Sequence, residues 1–305
     1  MHLSYVDLTD VQKVATKMVV GSLTDSDLAA VVSMSGASSG LTHDRAKLQA
    51  AIMNLRVHNF FRHPGSTCPD IGYYEADRIQ NKSDIIALDK AIDNTISCCD
   101  YCRRDYAQIL VENAAREALD IGDQDIRVTL GVLRDIVRKM GSMPGQRTLI
   151  LISPGFLTVT PEAMKEKSHL LDLAAQANVT ISALDARGLY TTVIGASDGS
   201  VGGAQVQRNK AQTQADSMVL NEDVLADLAD GTAGTYFRNS NDMEGGFQAL
   251  TAVPEYVYLL EMSLQSVKQD GAYHSLKVKL NQDGLKLQAR RGYFAPKPAN
   301  SKNMK

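Results

Sequence analysis

The sequence predicts an α/β fold, in which a mostly parallel sheet lies between layers of helices, followed by a C-terminal antiparallel β meander. Residues 148–153 form a leucine-rich and β-branched run that stops at Pro154 and Gly155. Such a run is typical of a parallel strand that is buried on both faces, so we expect it at the centre of the sheet. A helical pattern over residues 161–177 and a second apolar run over residues 179–184 complete a βαβ unit.

The chain before this unit predicts one helix, one strand and a second helix. Apolar residues recur at helical spacing over residues 11–19, behind Thr9 or Asp10 as the helix cap. Residues 28–34 read as a short buried strand, and a helix follows that starts near Thr42 or Asp44. This alternation is what the α/β class requires.

A helical insertion is expected at residues 57–145, within an α/β domain that spans residues 1–252. Three helical patterns, at 85–96, 107–119 and 126–140, follow one another there without a strand between them. Residues 188–216 are rich in glycine, serine, alanine and glutamine, which predicts a mobile loop. A helix at 222–229, a strand at 234–238 and a helix at 243–250 complete the domain.

The C-terminal part changes character and predicts a β meander over residues 253–295. Its strand-like runs lie at 256–264, 273–280 and 285–290, with turn sequences between them. Residues 296–305 are predicted to be a disordered tail.

Composition narrows the classes of partner. The 305 residues carry a formal net charge of −3, which gives no electrostatic reason to expect nucleic acid as a partner. No apolar run approaches the roughly 20 residues of a transmembrane helix, and the supplied chain opens with no signal peptide. We therefore expect a protein or another macromolecular ligand as the partner.

The four cysteines are all found in the expected insertion, and their use is open at this point. They could form two disulfides by any of three pairings, and the Cys99-x-x-Cys102 motif alone could be a redox or metal pair. Free thiols are the simplest alternative. The cysteines are Cys68, Cys98, Cys99 and Cys102.

The chain resembles the von Willebrand factor A-related domain of the acidobacterial type. The resemblance extends along nearly the whole chain and is carried by the stretches LTHDRAKLQAAIMNL, CPDIGYYEADRI, GQRTLILISPGFL, NVTISALDARGLY, GTYFRNSNDMEGGFQAL and LKVKLNQDGLKLQARRGYFAP. It implies a three-layer, Rossmann-type fold whose loops at the carboxyl edge of the sheet bind partners. It also implies that the first strand of the fold is missing from the supplied chain. We therefore expect the natural product to begin upstream and to be secreted or periplasmic.

Many members of the wider fold hold a divalent cation at this edge, and the resemblance implies a degenerate form of that metal-ion-dependent adhesion site. Ser4 and Thr67 match two of the oxygen ligands, whereas Pro154 stands where the motif has an aspartate. Two hydroxyl groups without a carboxylate make a poor cage for Mg²⁺. We expect no cofactor and binding that does not depend on a metal, with Asp185 as the one acidic group that could replace the lost charge.

A serine hydrolase is the alternative from another functional class. Ser38 is the middle residue of a Gly-x-Ser-x-Gly motif between a predicted strand and a predicted helix, and Asp185 and His274 follow in the order of a triad. Leu41 and Thr42 separate the motif from the helix, so we expect a turn of small residues rather than a nucleophile.

Aromatic residues and the turn that follows residue 153 are the candidates for partner contact. We expect the partner-binding edge to include Phe60, Phe61, Tyr73, Tyr74, Pro154, Gly155 and Asp185. In an exported protein, a disulfide from Cys68 to one of the later cysteines is expected to clasp the insertion, and a zinc site with His58 and His63 is the rival. The sequence therefore predicts a noncatalytic binding or adhesion module, with a hydrolase or a magnesium-dependent module as alternatives.

Overall fold

A parallel sheet of three strands, in the order β1-β2-β3, forms the centre of the fold, and a separate antiparallel pair is formed by β4 and β5. The computed structural model describes residues 3–34, 36–57, 68–99, 101–188 and 204–251 and, in the C-terminal segment, residues 270, 273–282, 284, 287, 289 and 292–295. The helices are α1 Tyr5–Ser22, α2 Arg45–Met53, α3 Tyr73–Gln80, α4 Ile85–Cys98, α5 Arg104–Gly141, α6 Pro161–Gln176, α7 Ala204–Gly231 and α8 Met243–Thr251. The strands are β1 Arg147–Ser153, β2 Val179–Asp185, β3 Tyr236–Phe237, β4 Tyr273–Ser275 and β5 Gly292–Phe294.

The middle strand of the sheet is β2, so the prediction that residues 148–153 form its centre is wrong. β1 pairs with β2 from Arg147 opposite Val179 to Ser153 opposite Asp185, and β3 pairs with the other edge of β2. Most of β2 is buried, whereas most of β1 is only half-buried. Within the described ranges no strand pairs with the outer edge of β1. An apolar run alone does not distinguish an edge strand from a central one.

Helices pack on both faces of the sheet. Leu149 and Leu151 of β1 lie with Ile181 of β2 in one hydrophobic cluster, which also holds buried side chains of α5, α6 and α7. Ile150 and Leu184 belong to a second cluster, formed with α1, α2 and α8. Because successive side chains of a strand point to opposite faces, the two clusters lie on opposite sides of one sheet. The mixed α/β class predicted from the sequence is confirmed.

Helix α1 begins earlier than expected, at Tyr5 rather than after Thr9 or Asp10. The Ser4 hydroxyl accepts a hydrogen bond from the Asp7 amide, and the Asp7 carboxylate accepts one from the Ser4 amide, which forms a capping box. This start adds a turn to the helix. Leu8, Val11, Ala15 and Met18 then lie on its buried face.

The strand predicted at residues 28–34 is absent. The segment makes only two isolated antiparallel bridges, between Ala29 and Thr42 and between Val32 and Ser38. The chain turns back on itself there with Gly36 at φ 89° and Gly40 at φ 67°, which favours glycine. Val32 is 42% exposed, so the segment is a surface hairpin rather than a sheet strand.

The helices predicted at 107–119 and 126–140 are one helix, α5, of 38 residues. Its first half buries Ala107, Val111 and Ala115 against α3 and α4. Its second half packs on the sheet through a second buried set, Ile126, Leu130, Leu133 and Val137. The residues between the two apolar patterns, 120–125, are mostly polar and contain no proline, so the helix continues through them although Gly122 has a low helix propensity.

The mobile loop predicted at residues 188–216 is wrong from Ala204 onward, because helix α7 begins there. Alanine and glutamine are frequent there, and their helix propensity is high, although the same composition resembles a linker. Residues 189–203 lie outside the described residues.

The remaining predictions are confirmed in part. The helices at 161–177 and 243–250 correspond to α6 and α8, and the strands at 179–184 and 234–238 to β2 and β3. In the tail, β4 and β5 pair antiparallel, but β5 follows the predicted run 285–290 instead of coinciding with it. The run at 256–264 and the tail at 296–305 lie outside the described residues. No helix in the described ranges has the length and apolarity needed to cross a membrane.

Candidate functional site

A cleft of about 460 Å³ opens at the carboxyl end of β2. The first turns of α1 form one wall, the residues that follow β2 form the floor, and the start of α8 forms the other wall. In parallel α/β sheets this edge is where ligands bind. The lining residues are Asp7, Asp10, Lys13, Val14, Ala186, Arg187, Gly188, Asn241, Asp242, Met243 and Glu244.

Carboxylates outnumber basic groups in this cleft. Asp10 pairs with Lys13 at 3.2 Å, and Glu244 pairs with Lys17 at 2.6 Å. Asp7 and Asp242 act instead as helix caps: Asp7 accepts from Ser4, and the Asp242 carboxylate accepts from the Gly245 amide at 2.8 Å. Within the described ranges neither of these two forms an ion pair. The lining therefore carries an excess of negative charge.

A buried chain of ion pairs fixes the floor of the cleft. The Arg187 guanidinium donates to both oxygens of the Asp185 carboxylate, at 2.9 and 2.6 Å, and lies 3.5 Å from Glu222. Glu222 also accepts from Arg238 at 2.8 Å. The Asp185 side chain has 0% exposure, so its charge is compensated from within the protein. Arg187 therefore holds the residues after β2 in place.

Asp185 and Gly155, both predicted at the partner-binding edge, lie beneath its surface. Gly155 has φ 91°, and a Cβ atom there would lie 2.3 Å from the backbone oxygen of Asn221 in α7. Pro154, next to it, is half-buried. The turn after β1 is thus covered by α7, and the accessible part of the edge is the cleft beside β2.

The residues present do not fit a magnesium cage. The Ser4 hydroxyl donates to the Asp7 carboxylate at 2.7 Å and caps α1, and Thr67 lies outside the described residues. Pro154 offers no carboxylate. The described part of the chain contains no group of three or more His, Cys, Asp or Glu side chains that could hold a metal ion.

Two of the four aromatic residues predicted for partner contact, Tyr73 and Tyr74, are described, and they lie in different surroundings. Tyr73 packs on the core of the α5 and α6 face, and its hydroxyl donates to the Asp123 carboxylate at 2.6 Å. Burial, followed by this carboxylate, raises the pKa of Tyr73. Arg78 stacks over the ring of Tyr74 at 5.8 Å. Phe60 and Phe61 lie outside the described residues.

All four cysteines are joined in disulfides, Cys68 to Cys98 and Cys99 to Cys102. The expected clasp from Cys68 to a later cysteine is therefore present. The sulfur atoms that a zinc site would need are bonded to one another, and His58 and His63 lie outside the described residues.

The hydrolase triad is not assembled in the described residues. Ser38 lies in the exposed hairpin, where its hydroxyl accepts from the Gly40 amide at 3.1 Å, and α2 begins only at Arg45. Asp185 is held by Arg187, and His274 contacts Asp270 at 3.0 Å and stacks on Tyr293. A nucleophile elbow needs a strand before the serine and a helix directly after it, and neither is there.

Most of the residues that line the cleft, and the ion pairs beneath it, were not predicted from the sequence. Asp242 and Glu244 stand at the start of a predicted helix, where acidic residues have a structural explanation. Glu222 and Arg238 are 16 residues apart, and only the fold brings them to Arg187. The one local signal was Arg187 itself, two residues after the aspartate that ends the strand.

No protein-family model matches this chain, and no curated protein or solved structure matches it either. The resemblance to a von Willebrand factor A-related domain stays a prediction, and the function has to be argued from the cleft.

Proposed function

We propose that the protein is a noncatalytic binding module, related to von Willebrand factor A domains, whose cleft accepts a lysine or arginine side chain of a protein partner. The observation that carries this proposal is the acidic cleft at the carboxyl end of β2. Its volume of about 460 Å³ falls within the range of ligand pockets. A long basic side chain fills such a space and brings the charge that the lining lacks.

The balance of charges favours a cation even when the helix termini are counted. Four carboxylates, Asp7, Asp10, Asp242 and Glu244, face Lys13 and Arg187 in the lining, and Lys17 pairs with Glu244 from outside it. Arg187 is itself neutralised by Asp185 and Glu222. The starts of α1 and α8 add roughly one positive charge equivalent. Together with Lys13 and Lys17 this charge does not balance the four carboxylates, so the sum remains negative.

A location outside the cytoplasm belongs to the same proposal. Two disulfides are formed in one helical segment, and disulfides persist mainly in oxidising compartments. A secreted or periplasmic binding module would meet its partner there.

Calorimetric titration with an oligolysine peptide at low ionic strength tests the proposal. The variant Asp7→Asn/Asp242→Asn removes two charges from the cleft but keeps the capping oxygens, because asparagine caps as well as aspartate. We expect it to bind oligolysine about tenfold more weakly than the wild type, because the two lost attractions together contribute about 1.4 kcal/mol.

The matched control is Glu117→Gln/Asp120→Asn, which removes two charges from the exposed surface of α5. It should bind oligolysine as the wild type does. Equal weakening by both variants would mean that the peptide responds only to net charge. Failure of the wild type to bind oligolysine, or equally tight binding of oligoglutamate, would contradict the proposal.

A further inference from the structure

The disulfide between Cys99 and Cys102 closes a very short segment whose backbone is already folded back. The two residues are three apart in sequence, and their Cα atoms are 5.5 Å apart. The Cys102 amide donates to the Cys99 carbonyl at 3.3 Å. Because this backbone hydrogen bond holds the two residues together in addition to the sulfur bond, we expect the two thiols of the reduced form to remain neighbours. The disulfide can therefore open and close without a large movement of the chain.

The two disulfides differ in the helix ends beside them. Cys102 directly precedes Arg103, the N-cap of α5, whose side chain makes no capping hydrogen bond. Cys98 is instead the last residue of α4. A thiolate is stabilised at the positive end of a helix and destabilised at the negative end. Reduction therefore places a favoured thiolate at Cys102 and a disfavoured one at Cys98.

Neighbouring side chains do not supply the positive charge that favours a thiolate. Arg104 pairs with Asp89 at 2.5 Å and with Asp93 at 2.8 Å, and Arg103 lies 3.5 Å from Asp105. Two guanidinium groups thus face three carboxylates, and the sum of these charges is negative. The group that favours the thiolate is therefore the N-terminal end of α5.

The surface around this disulfide is accessible and partly apolar. Tyr101, between the two cysteines, is 97% exposed, and Tyr106 and Ile109 on the first turns of α5 are each 55% exposed. Cys68 and Cys98 are exposed, so exposure does not separate the two disulfides. Cys99 and Cys102 are both half-buried, but only Cys102 packs against the core of the helical cluster. A thiol from solvent therefore reaches the sulfur of Cys99 more readily than that of Cys102.

We propose that Cys99 and Cys102 form an exchangeable redox pair, whereas Cys68–Cys98 is a structural disulfide. A dithiol reductant attacks the Cys99 sulfur as a thiolate, which breaks the Cys99–Cys102 bond and releases Cys102 as a thiolate beside α5. The second thiol of the reductant, as a thiolate, then attacks the reductant's own sulfur in the mixed disulfide. This step releases Cys99 as a thiolate, which takes up a proton, and leaves the reductant as its disulfide. Two electrons pass from the reductant to the pair.

Equilibration with graded ratios of reduced to oxidised dithiothreitol tests the proposal. After acid quenching and alkylation, mass spectrometry of peptides quantifies each cysteine pair, and circular dichroism follows the helices. We expect Cys99–Cys102 to be half-reduced at a ratio about tenfold lower than Cys68–Cys98, with the helical signal unchanged. Simultaneous reduction of both pairs, earlier reduction of Cys68–Cys98, or loss of helix with the first pair would overturn it.

Trapping of the mixed disulfide tests which sulfur is attacked. When the oxidised wild type is mixed with reduced glutathione and quenched with acid at early times, glutathione should be found on Cys99 more often than on Cys102, because the attacked sulfur keeps the glutathione. The double variant Cys99→Ser/Cys102→Ser should lose the low-ratio transition and keep the one from Cys68–Cys98. Faster modification of Cys102, or survival of the low-ratio transition in the double variant, would contradict the assignment.

Discussion

At the scale of single residues, the contact between the β1 turn and α7 depends on the absence of a side chain at Gly155. Its φ of 91° already disfavours any residue with a Cβ atom, and the nearest obstacle is backbone, the Asn221 carbonyl. Backbone cannot rotate away as the end of a flexible side chain can. Two penalties, one conformational and one steric, therefore act at the same position.

Gly145 allows the two penalties to be measured separately. Its φ is 81°, which disfavours alanine, but a Cβ atom added there would have no obstacle within 4 Å. We expect Gly145→Ala to lower the free energy of unfolding by about 1 kcal/mol, from backbone strain alone. Gly155→Ala should lower it by about 3 kcal/mol or more. Urea unfolding followed by circular dichroism measures both values. Equal losses would show that α7 does not press on the turn.

At the scale of elements, the contact between α3 and α7 includes a carboxyl group whose pKa is raised. Glu75 of α3 is half-buried; Asp70 lies nearby and is paired with Lys210 of α7 at 3.5 Å. Burial, followed by the charge of Asp70, raises the pKa of Glu75 to about 7, although Lys210, Arg78 and Lys90 act in the opposite direction. The folded protein thus binds this proton more tightly than the unfolded chain does.

The sign of the pH effect follows from this shift. Below pH 4.5 Glu75 is protonated in both the folded and the unfolded state. Between pH 4.5 and about 7 it ionises in the unfolded state but keeps its proton in the folded state, so the free energy of unfolding falls as the pH rises. Above pH 7 this loss of stability is complete. Glu75→Gln should remove the loss and stabilise the protein at pH 8 by about 2 kcal/mol, with no gain near pH 4. Urea titrations at several pH values measure this difference. Glu117→Gln, on exposed α5 surface, should show no such pH dependence, and a constant effect of Glu75→Gln would contradict the explanation.

At the scale of the whole molecule, α5 connects the disulfide-bonded helices to the sheet. Its first half belongs to the hydrophobic cluster of α3 and α4, and its second half to the cluster on the sheet. One continuous helix couples the two clusters, because its backbone hydrogen bonds run through the polar stretch between them. We expect both clusters to unfold together.

Asp120, which is exposed and lies between the two halves, is the position at which to break this coupling. Asp120→Pro removes a helical hydrogen bond and costs about 3 kcal/mol, whereas Asp120→Ala keeps the helix. Hydrogen exchange in graded urea should show α4 and β2 losing protection together in the wild type and in Asp120→Ala. In Asp120→Pro, α4 should lose protection at lower urea than β2, and coincident loss would refute the coupling.

The sequence predicted the βαβ unit well, because each of its signals is local. An apolar run, a proline in the first turn of a helix and a helical period are all visible within residues 148–184. The prediction of a strand at 28–34 is wrong because it used only the apolar composition of the segment. Whether such a segment becomes a buried strand depends on pairing with a neighbouring strand, which no local pattern specifies.

The candidate site was less predictable for a related reason. The position of Asp185 at the end of a strand was visible, but its neutralisation by Arg187 and the extension to Glu222 depend on how α7 packs. The cleft is likewise assembled from α1, β2 and α8, which are distant in sequence. The rules for parallel strands predict which strand ends meet at one edge of the sheet. They do not predict how the side chains beyond that edge are arranged.

The length of α5 separates two contacts described above. The Asp123 carboxylate meets the Tyr73 hydroxyl, and the helix continues for another 19 positions back to Arg104. At a rise of about 1.5 Å per residue, this part of the helix is roughly 28 Å long. The end of α5 beside the Cys99–Cys102 disulfide is therefore about five helical turns away from the contact that holds Tyr73.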